Sequence, residues 1–193
     1  MEMNQNIKGF LFDFAGVVGS KYRWIWDFKK SEDFELMIKE LYRQGDRGDI
    51  TTNELIKRIA KIVGIPESQV WKDVYPQIVI NKELITLIEQ LRKKYKIGLL
   101  SNYNHVWLEE IFHKHNLNQY FDAIYISSRH RMIKPEQGAY VKALSMLGLR
   151  EGEVIFVDDV ITHIDAAKKL GINGILYTSV TQLKTDLQNL GIR

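Results

Sequence analysis

Cysteine is missing from all 193 residues. That excludes disulfides and thiolate-based metal or redox chemistry, and it fits a reducing compartment. Long apolar runs are missing too: no stretch approaches the ~18 consecutive apolar residues of a membrane span. Met1 to Lys8 is polar and lacks the basic-then-apolar pattern of a secretory leader. The expectation is a cytoplasmic protein with no membrane partner. Charge of one sign is scarce: 27 Lys and Arg against 24 Asp and Glu leave +3, without a long basic run, so nucleic acid is not an expected partner. There is no low-complexity segment. No exposed apolar stripe demands a second copy, which leaves a monomer as the default.

What is present is ordinary in bulk, with 45% hydrophobic and 26% charged residues, as in a globular protein. A chain of this length buries a core without covalent staples and suits one α/β domain with a modest insertion. Ile7, then Phe10-Leu11-Phe12, is a short apolar run ending at Asp13. Similar runs are Ile97–Leu100 before Ser101, Ala123–Ile126 before Ser127, Val154–Val157 before Asp158, and Gly174–Tyr177 before Thr178. Continuous runs of this length suit strands buried on both faces.

Helical patterns separate them. Leu84, Leu87, Ile88 and Leu91 share one face; Leu108, Ile111 and Phe112 follow Asn104; Tyr140, Ala143, Leu144 and Leu147 follow Pro135, with Gly148 placed as a stop. Thr162 with Asp165 reads as a capping box, and Leu183, Leu187 and Leu190 mark a last helix. Alternation of this kind predicts a Rossmann-like parallel sheet flanked by helices. The stretch from Val18 to Asn81 differs. It predicts two amphipathic helices, one carrying Phe34, Met37, Ile38 and Leu41, the other capped by Thr51 with Glu54. Gly45-Asp46-Arg47-Gly48 reads as the turn between them. The predicted division is a core of residues 1–17 and 82–193 with a small all-helical cap, 18–81, inserted after the first strand.

Ligands of open parallel sheets sit beyond the carboxyl ends of the strands. That edge would gather Asp13, Ser101 with Asn102, and Asp158-Asp159, with Lys134 close by. Mg²⁺ takes oxygen ligands, one or two carboxylates plus substrate phosphate. Aspartate is a competent nucleophile toward phosphorus. Taken singly, each residue has a plainer reading: Asp13 or Asp158-Asp159 as a turn or cap, Ser101-Asn102 as a turn, Lys134-Pro135 as a helix start. Together, in this order and each after its own strand or crossover, they point to a site.

The same residues resemble a known family. Asp13-Phe14-Ala15-Gly16-Val17-Val18 after an apolar strand, Leu99-Leu100-Ser101-Asn102, Lys134-Pro135 ahead of Tyr140, and Phe156-Val157-Asp158-Asp159 with Leu170-Gly171-Ile172 behind resemble the four motifs of the haloacid-dehalogenase-like superfamily. The helical segment is similar to the cap of its members that insert one after the first strand. Within the superfamily the chain most resembles small phosphatases acting on sugar phosphates such as glucose 1-phosphate. The resemblance implies a Mg²⁺-dependent phosphomonoester hydrolase with a small phosphorylated metabolite as substrate. It implies Asp13 as nucleophile and metal ligand, with the backbone carbonyl of Ala15 as a second ligand. Asp159 would be the direct acidic ligand with Asp158 beside it, an assignment the sequence leaves open between the two. Ser101 and Asn102 would bind phosphate, and Lys134 would hold phosphate and nucleophile together.

One position departs. Most phosphatases of the superfamily carry a second aspartate two residues after the nucleophile, which protonates the leaving oxygen and then activates water; here it is Ala15, and members resembling the sugar-phosphate branch can carry a small residue there. That role is typically worth ~10²–10⁴-fold. Acyl or anomeric phosphates, whose leaving groups need little protonation, would suit such a site. His105 or His163 could substitute, although each reads more simply as a first-turn helix residue. Alanine here also resembles the phosphonoacetaldehyde hydrolases, which need a cap lysine; Lys21, Lys29, Lys30 and Lys39 are available. The remaining alternative is a silent phosphate-ligand binding protein. Arg23 and Trp24, with Tyr22 and Trp26, are candidates for substrate selection, the tryptophans reading more simply as cap packing. Arg43 and Arg47 read as surface charges, and His113 and His115 as a solvated helix face.

Overall fold

The computed structural model describes residues 6–21, 31–74 and 78–192. Its centre is a five-stranded sheet in the order β3-β2-β1-β4-β5, formed by β1 (Gly9–Phe12), β2 (Lys96–Ser101), β3 (Ala123–Ile126), β4 (Val154–Asp158) and β5 (Asn173–Leu176). Every pairing is parallel. Each predicted run forms its strand. β1 and β4 are buried at every residue because helices cover both faces.

The crossover helices are α4 (Lys82–Leu91), α5 (His105–Lys114), α6 (Ser127–His130), α7 (Gln137–Leu147) and α8 (Ile161–Lys169), with α9 (Val180–Asn189) last. They sort into two layers. Leu84, Ile88, Leu108, Ile111 and Leu183 join Phe10, Phe12 and Val157 on one face; Tyr140, Ala143, Leu144 and Ile164 join Leu11 and Phe156 on the other. Alternate residues of β1 thus serve opposite faces, as the strand period requires. The predicted Thr162 capping box does not form: α8 begins two residues earlier, with Val160 at its N-cap and no side-chain cap.

Between β1 and α4 stand α1 (Glu32–Arg47), α2 (Thr52–Val63) and α3 (Glu67–Val74). The first two are the predicted pair, capped by Ser31 and Thr51; α3 is additional. The predicted turn, starting at Gly45, begins three residues too early. The first helix runs through Arg47 and stops at Gly48, whose φ of 80° needs no Cβ. Gly45 and Asp46 are therefore helical, and Gly45 lets Leu55 of α2 pack against the backbone. Phe34, Ile38, Leu41, Leu55 and Ile59 belong to the same apolar cluster as Phe10 and Phe12. Outgoing and returning chains are tied together: Ser20 N donates to Val79 O and Asn81 N to Val18 O, both at 2.9 Å.

Candidate active site

The order 3-2-1-4-5 reverses direction at β1, and there the carboxyl ends of β1 and β4 open a crevice. Phe12 pairs with Val157, and Asp13 N donates to Val157 O at 2.9 Å, so Asp13 emerges level with Asp158. Lys134 lies between the two carboxylates. Its Nζ is 2.9 Å from Asp13 Oδ1 and 2.6 Å from Asp158 Oδ2. The residues are 6%, 2% and 0% exposed for Asp13, Lys134 and Asp158, so these charges interact almost out of water. Phe14 N also donates to Asp13 Oδ1, at 2.7 Å. Both contacts fall on one oxygen, and Asp13 Oδ2 has no hydrogen-bond partner among the described residues.

Electrostatics separate the two aspartates. Burial pushes the Asp13 carboxyl up, Lys134 pulls it down, and the charge of Asp158 pushes it up again; the net direction is upward. Burial works to raise Asp158 as well, but Lys134 and His163 overcome it and hold that carboxyl down to about 2. Burial works to lower Lys134, and the two carboxylates outweigh it, so its pKa is raised. Asp158 is fully engaged. Val160 N reaches its Oδ1 at 2.8 Å, and His163 Nδ1 lies 3.1 Å from both oxygens.

Asp159 is engaged differently. Lys21 Nζ is 2.5 Å from its Oδ2, while its Oδ1 is buried with no hydrogen-bond partner among the described residues. Asp13, Asp158 and Asp159 each offer an oxygen, all within 4.8 Å of one another. An all-carboxylate set with an unsatisfied buried oxygen fits a hard divalent cation. Gly16 makes the close approach possible: its φ is 87°, and a Cβ there would run into Asp159 Oδ2.

Ser101, at the end of β2, is fully buried and its Oγ has no partner among the described residues. The Asn102 amide clamps Lys134, donating to its carbonyl at 2.9 Å and accepting from its N–H at 2.7 Å. Of the predicted phosphate-binding pair, Ser101 therefore carries the unsatisfied side-chain group, and Asn102 fixes the lysine.

A cavity of about 410 Å³ opens on this cluster. Asp13, Ala15, Asn102, Lys134, Asp159 and His163 line it from the sheet edge; Lys39, Tyr42, Arg43 and Asp46 line it from α1. The latter four fall at i, i+3, i+4 and i+7, one stripe of a helix. That spacing was the available signal for the α1 face, and ending the helix before Gly45 hid its last member. His163, read as a surface first-turn residue, is instead half-buried on Asp158. His105 bonds Ser128 Oγ at 3.1 Å and lines a different cavity. Arg43 is exposed and lines the site, while Arg47 pairs with Glu136. His113 and His115 are in no three-residue metal-ligating group among the described residues. Arg23 and Trp24, with Tyr22, Trp26, Lys29 and Lys30, lie outside the described residues.

A parallel sheet with an aspartate at the end of its first strand and a lysine-bridged acidic cluster defines a class of hydrolases, and comparison with known proteins agrees. Residues 7–171 match the family model described as haloacid dehalogenase-like hydrolase. The chain belongs to that family. It is 24% identical over 196 residues to the sesquiterpene phosphatase astK of Aspergillus oryzae, covering 97% of this chain and 98% of that protein. A family enzyme from Bacteroides thetaiotaomicron superposes with a TM-score of 0.80 at 26% identity, covering 93% of this chain and 99% of that one. The same enzyme in complex with magnesium and inorganic phosphate superposes with a TM-score of 0.75 at 26% identity, over 92% and 98% of the two chains. Among the described residues no helix is long and apolar enough to cross a membrane.

Proposed function

We propose that this hydrolase is a Mg²⁺-dependent phosphomonoesterase that forms an aspartyl-phosphate on Asp13. The observation that carries the reading is the buried Lys134, which neutralises Asp13 Oδ1 and leaves Oδ2 unpartnered among the described residues, on a residue that lines the cavity. The magnesium and phosphate held by the Bacteroides relative support the same chemistry.

Asp13, the Ala15 carbonyl and Asp159 would hold the ion, with Asp158 next to them; the unsatisfied Asp159 Oδ1 favours Asp159 as the direct acidic ligand. Bound Mg²⁺ supplies positive charge that lets an anionic nucleophile approach an anionic phosphoryl group. Asp13 Oδ2 attacks phosphorus in line with the leaving oxygen. Lys134 anchors the nucleophile and offers a fixed charge to the phosphoryl oxygens. Ser101 Oγ, with Asn102 beside it, gives the phosphate a hydrogen bond, ending the isolation of a buried hydroxyl that costs about 1–3 kcal/mol when unsatisfied. The helices of residues 18–81 act as a cap over the core of 1–17 and 82–193, and Arg23 and Trp24 of that segment select the substrate. The substrate is a small phosphorylated metabolite, a sugar phosphate among the candidates.

Lys39 on the cavity wall is what favours a second reading, C–P bond hydrolysis through a lysine Schiff base, although Lys39 would first have to leave Glu35 at 2.6 Å. Phosphate release from sugar, acyl and aryl phosphates, with and without Mg²⁺, tests both. Metal-dependent release abolished by Asp13→Asn is the expected result. Aldehyde formation from phosphonoacetaldehyde, lost in Lys39→Ala, would replace the first reading with the second.

A further inference from the structure

The phosphatase reading lacks a proton donor at Ala15, and the cavity contains a carboxyl that no motif announced. Asp46 sits in the last turn of α1 and lines the same cavity as Asp13 and Ala15. Among the described residues it forms no ion pair, whereas Asp13, Asp158, Asp159, Glu35 and Glu40 all do. The backbone N–H of Asn104, the third residue after Ser101, acts on its carboxyl and pulls its pKa down. Its own carbonyl accepts from Ser127 Oγ, which in turn accepts from Tyr103 N at 2.9 Å. Thr52 Oγ1, at the start of α2, donates to Asn104 Oδ1 at 3.0 Å. The loop after β2 therefore grips the end of α1, and the loop that offers Ser101 to phosphate also fixes Asp46.

We propose that Asp46 is the general acid and base of this enzyme, supplied by the inserted helices in place of the carboxylate absent at residue 15. In the first step Asp13 Oδ2 forms its bond to phosphorus, the bond to the leaving oxygen breaks, and that oxygen takes the proton of Asp46. In the second, Asp46 takes a proton from the water that attacks phospho-Asp13. The P–O bond to Asp13 breaks, phosphate departs, and Asp46 is protonated again. Proton and charge balance over the cycle with no further reactant.

The surroundings favour a protonated resting acid. Burial pushes the Asp46 carboxyl well above its ordinary value, the Asn104 N–H pulls against this, and the charge of Asp13 pushes it up further. The other titratable groups on the cavity are Lys39, Tyr42 and Arg43 from its own helix, Lys21 and Asp159, and Lys134 and His163 from the sheet edge. Arg43 is held by Glu40, Lys39 by Glu35 and Lys21 by Asp159, so each of these cations already has its own carboxylate.

The proposal rests on the phosphatase reading, and the test separates the two. Asp46→Asn keeps an oxygen for the Asn104 N–H but cannot give up a proton. Single-turnover rates would be compared on an alkyl phosphate, whose alkoxide must be protonated, and on p-nitrophenyl phosphate, whose phenolate leaves unaided. Asp46→Asn is expected to slow the alkyl substrate by ~10²–10⁴-fold. The aryl substrate should still give a burst of one p-nitrophenol per enzyme, followed by slow turnover as phospho-Asp13 accumulates. Equal slowing on both substrates would reduce Asp46 to a structural residue, and no slowing would remove it from the reaction; either overturns the proposal. Should Asp46→Asn fail to fold, the wild-type pH profiles decide. Alkyl turnover must fall with rising pH as Asp46 loses its proton while the aryl burst does not, and parallel profiles refute the idea. If the wild-type protein releases phosphate from neither substrate, the phosphatase reading itself fails and the assignment of Asp46 with it.

Discussion

Replacing Lys134 by methionine tests the electrostatic core of the site without reference to any substrate. The ammonium is shared between Asp13 and Asp158 at 2.9 and 2.6 Å, with side-chain exposures of 0%, 8% and 0% for Lys134, Asp13 and Asp158. Methionine occupies similar space but leaves two buried carboxylates facing each other. Removing one partner of a buried ion pair costs about 3–5 kcal/mol. At about 2–4 °C per kcal/mol for a chain of this size, Tm falls by roughly 6–20 °C. The sign with pH follows from the same groups. In the wild type Asp158 is held down to about 2, so its contribution is present above the unfolded-chain value of ~3.9 and is lost as pH falls through about 2. Without Lys134, only His163 still opposes burial at Asp158, its pKa rises, and the penalty disappears once it is protonated. The gap between the two proteins should therefore be widest near neutral pH and narrow steadily in acid. Melts followed by circular dichroism in chelator, at several pH values, measure it, with Lys134→Met/Asp13→Asn expected to recover part of the loss. A Lys134→Met protein melting within about 3 °C of wild type at neutral pH, roughly 1 kcal/mol, would refute the argument.

Other expectations follow from the same geometry. Asp13 has a raised pKa, so its ionised form costs stability above that pKa; metal-free Asp13→Asn should melt above the wild type at neutral pH, and a lower Tm would count against the burial argument. Mg²⁺ at about 100 times its Kd should stabilise the wild type by ~2.7 kcal/mol, a shift read by thermal melts that Asp159→Asn should abolish and Asp158→Asn should not imitate in a stable protein. Gly16→Ala puts a side chain at φ 87° and against Asp159 Oδ2; it should cost at least ~1 kcal/mol by denaturant melts and erase the Mg²⁺-dependent shift.

Much of this was legible because the sheet is parallel and enclosed. Strands buried on both faces advertise themselves as uninterrupted apolar runs, and topology then obliges the polar residue after each run to share one edge. Asp13, Ser101 and Asp158 needed nothing more. The roles of neighbours were less visible. That Asn102 clamps Lys134, and that Asp158 is consumed by Lys134 and His163 while Asp159 keeps an open oxygen, depends on side-chain directions across three loops. Asp46 was lost to a local rule: two glycines within four residues resemble a turn, yet Gly45 is there for Leu55 to pack against and only Gly48 ends the helix. His163 was misjudged because helical position alone does not reveal a carboxylate arriving from the preceding strand.

The narrow neck where Ser20 meets Val79 and Asn81 meets Val18 has an evolutionary meaning. Since the backbone departs and returns at one place, a different segment can be joined there without recutting the strands, provided it also covers the apolar face that holds Phe10 and Phe12. Descendants could acquire new substrate preferences by trading this module. If the module also carries the proton donor, however, each trade would alter the chemistry along with the recognition, and a lineage that took in a replacement without a carboxyl near position 46 would retain a phosphate-binding fold that turns over slowly or not at all.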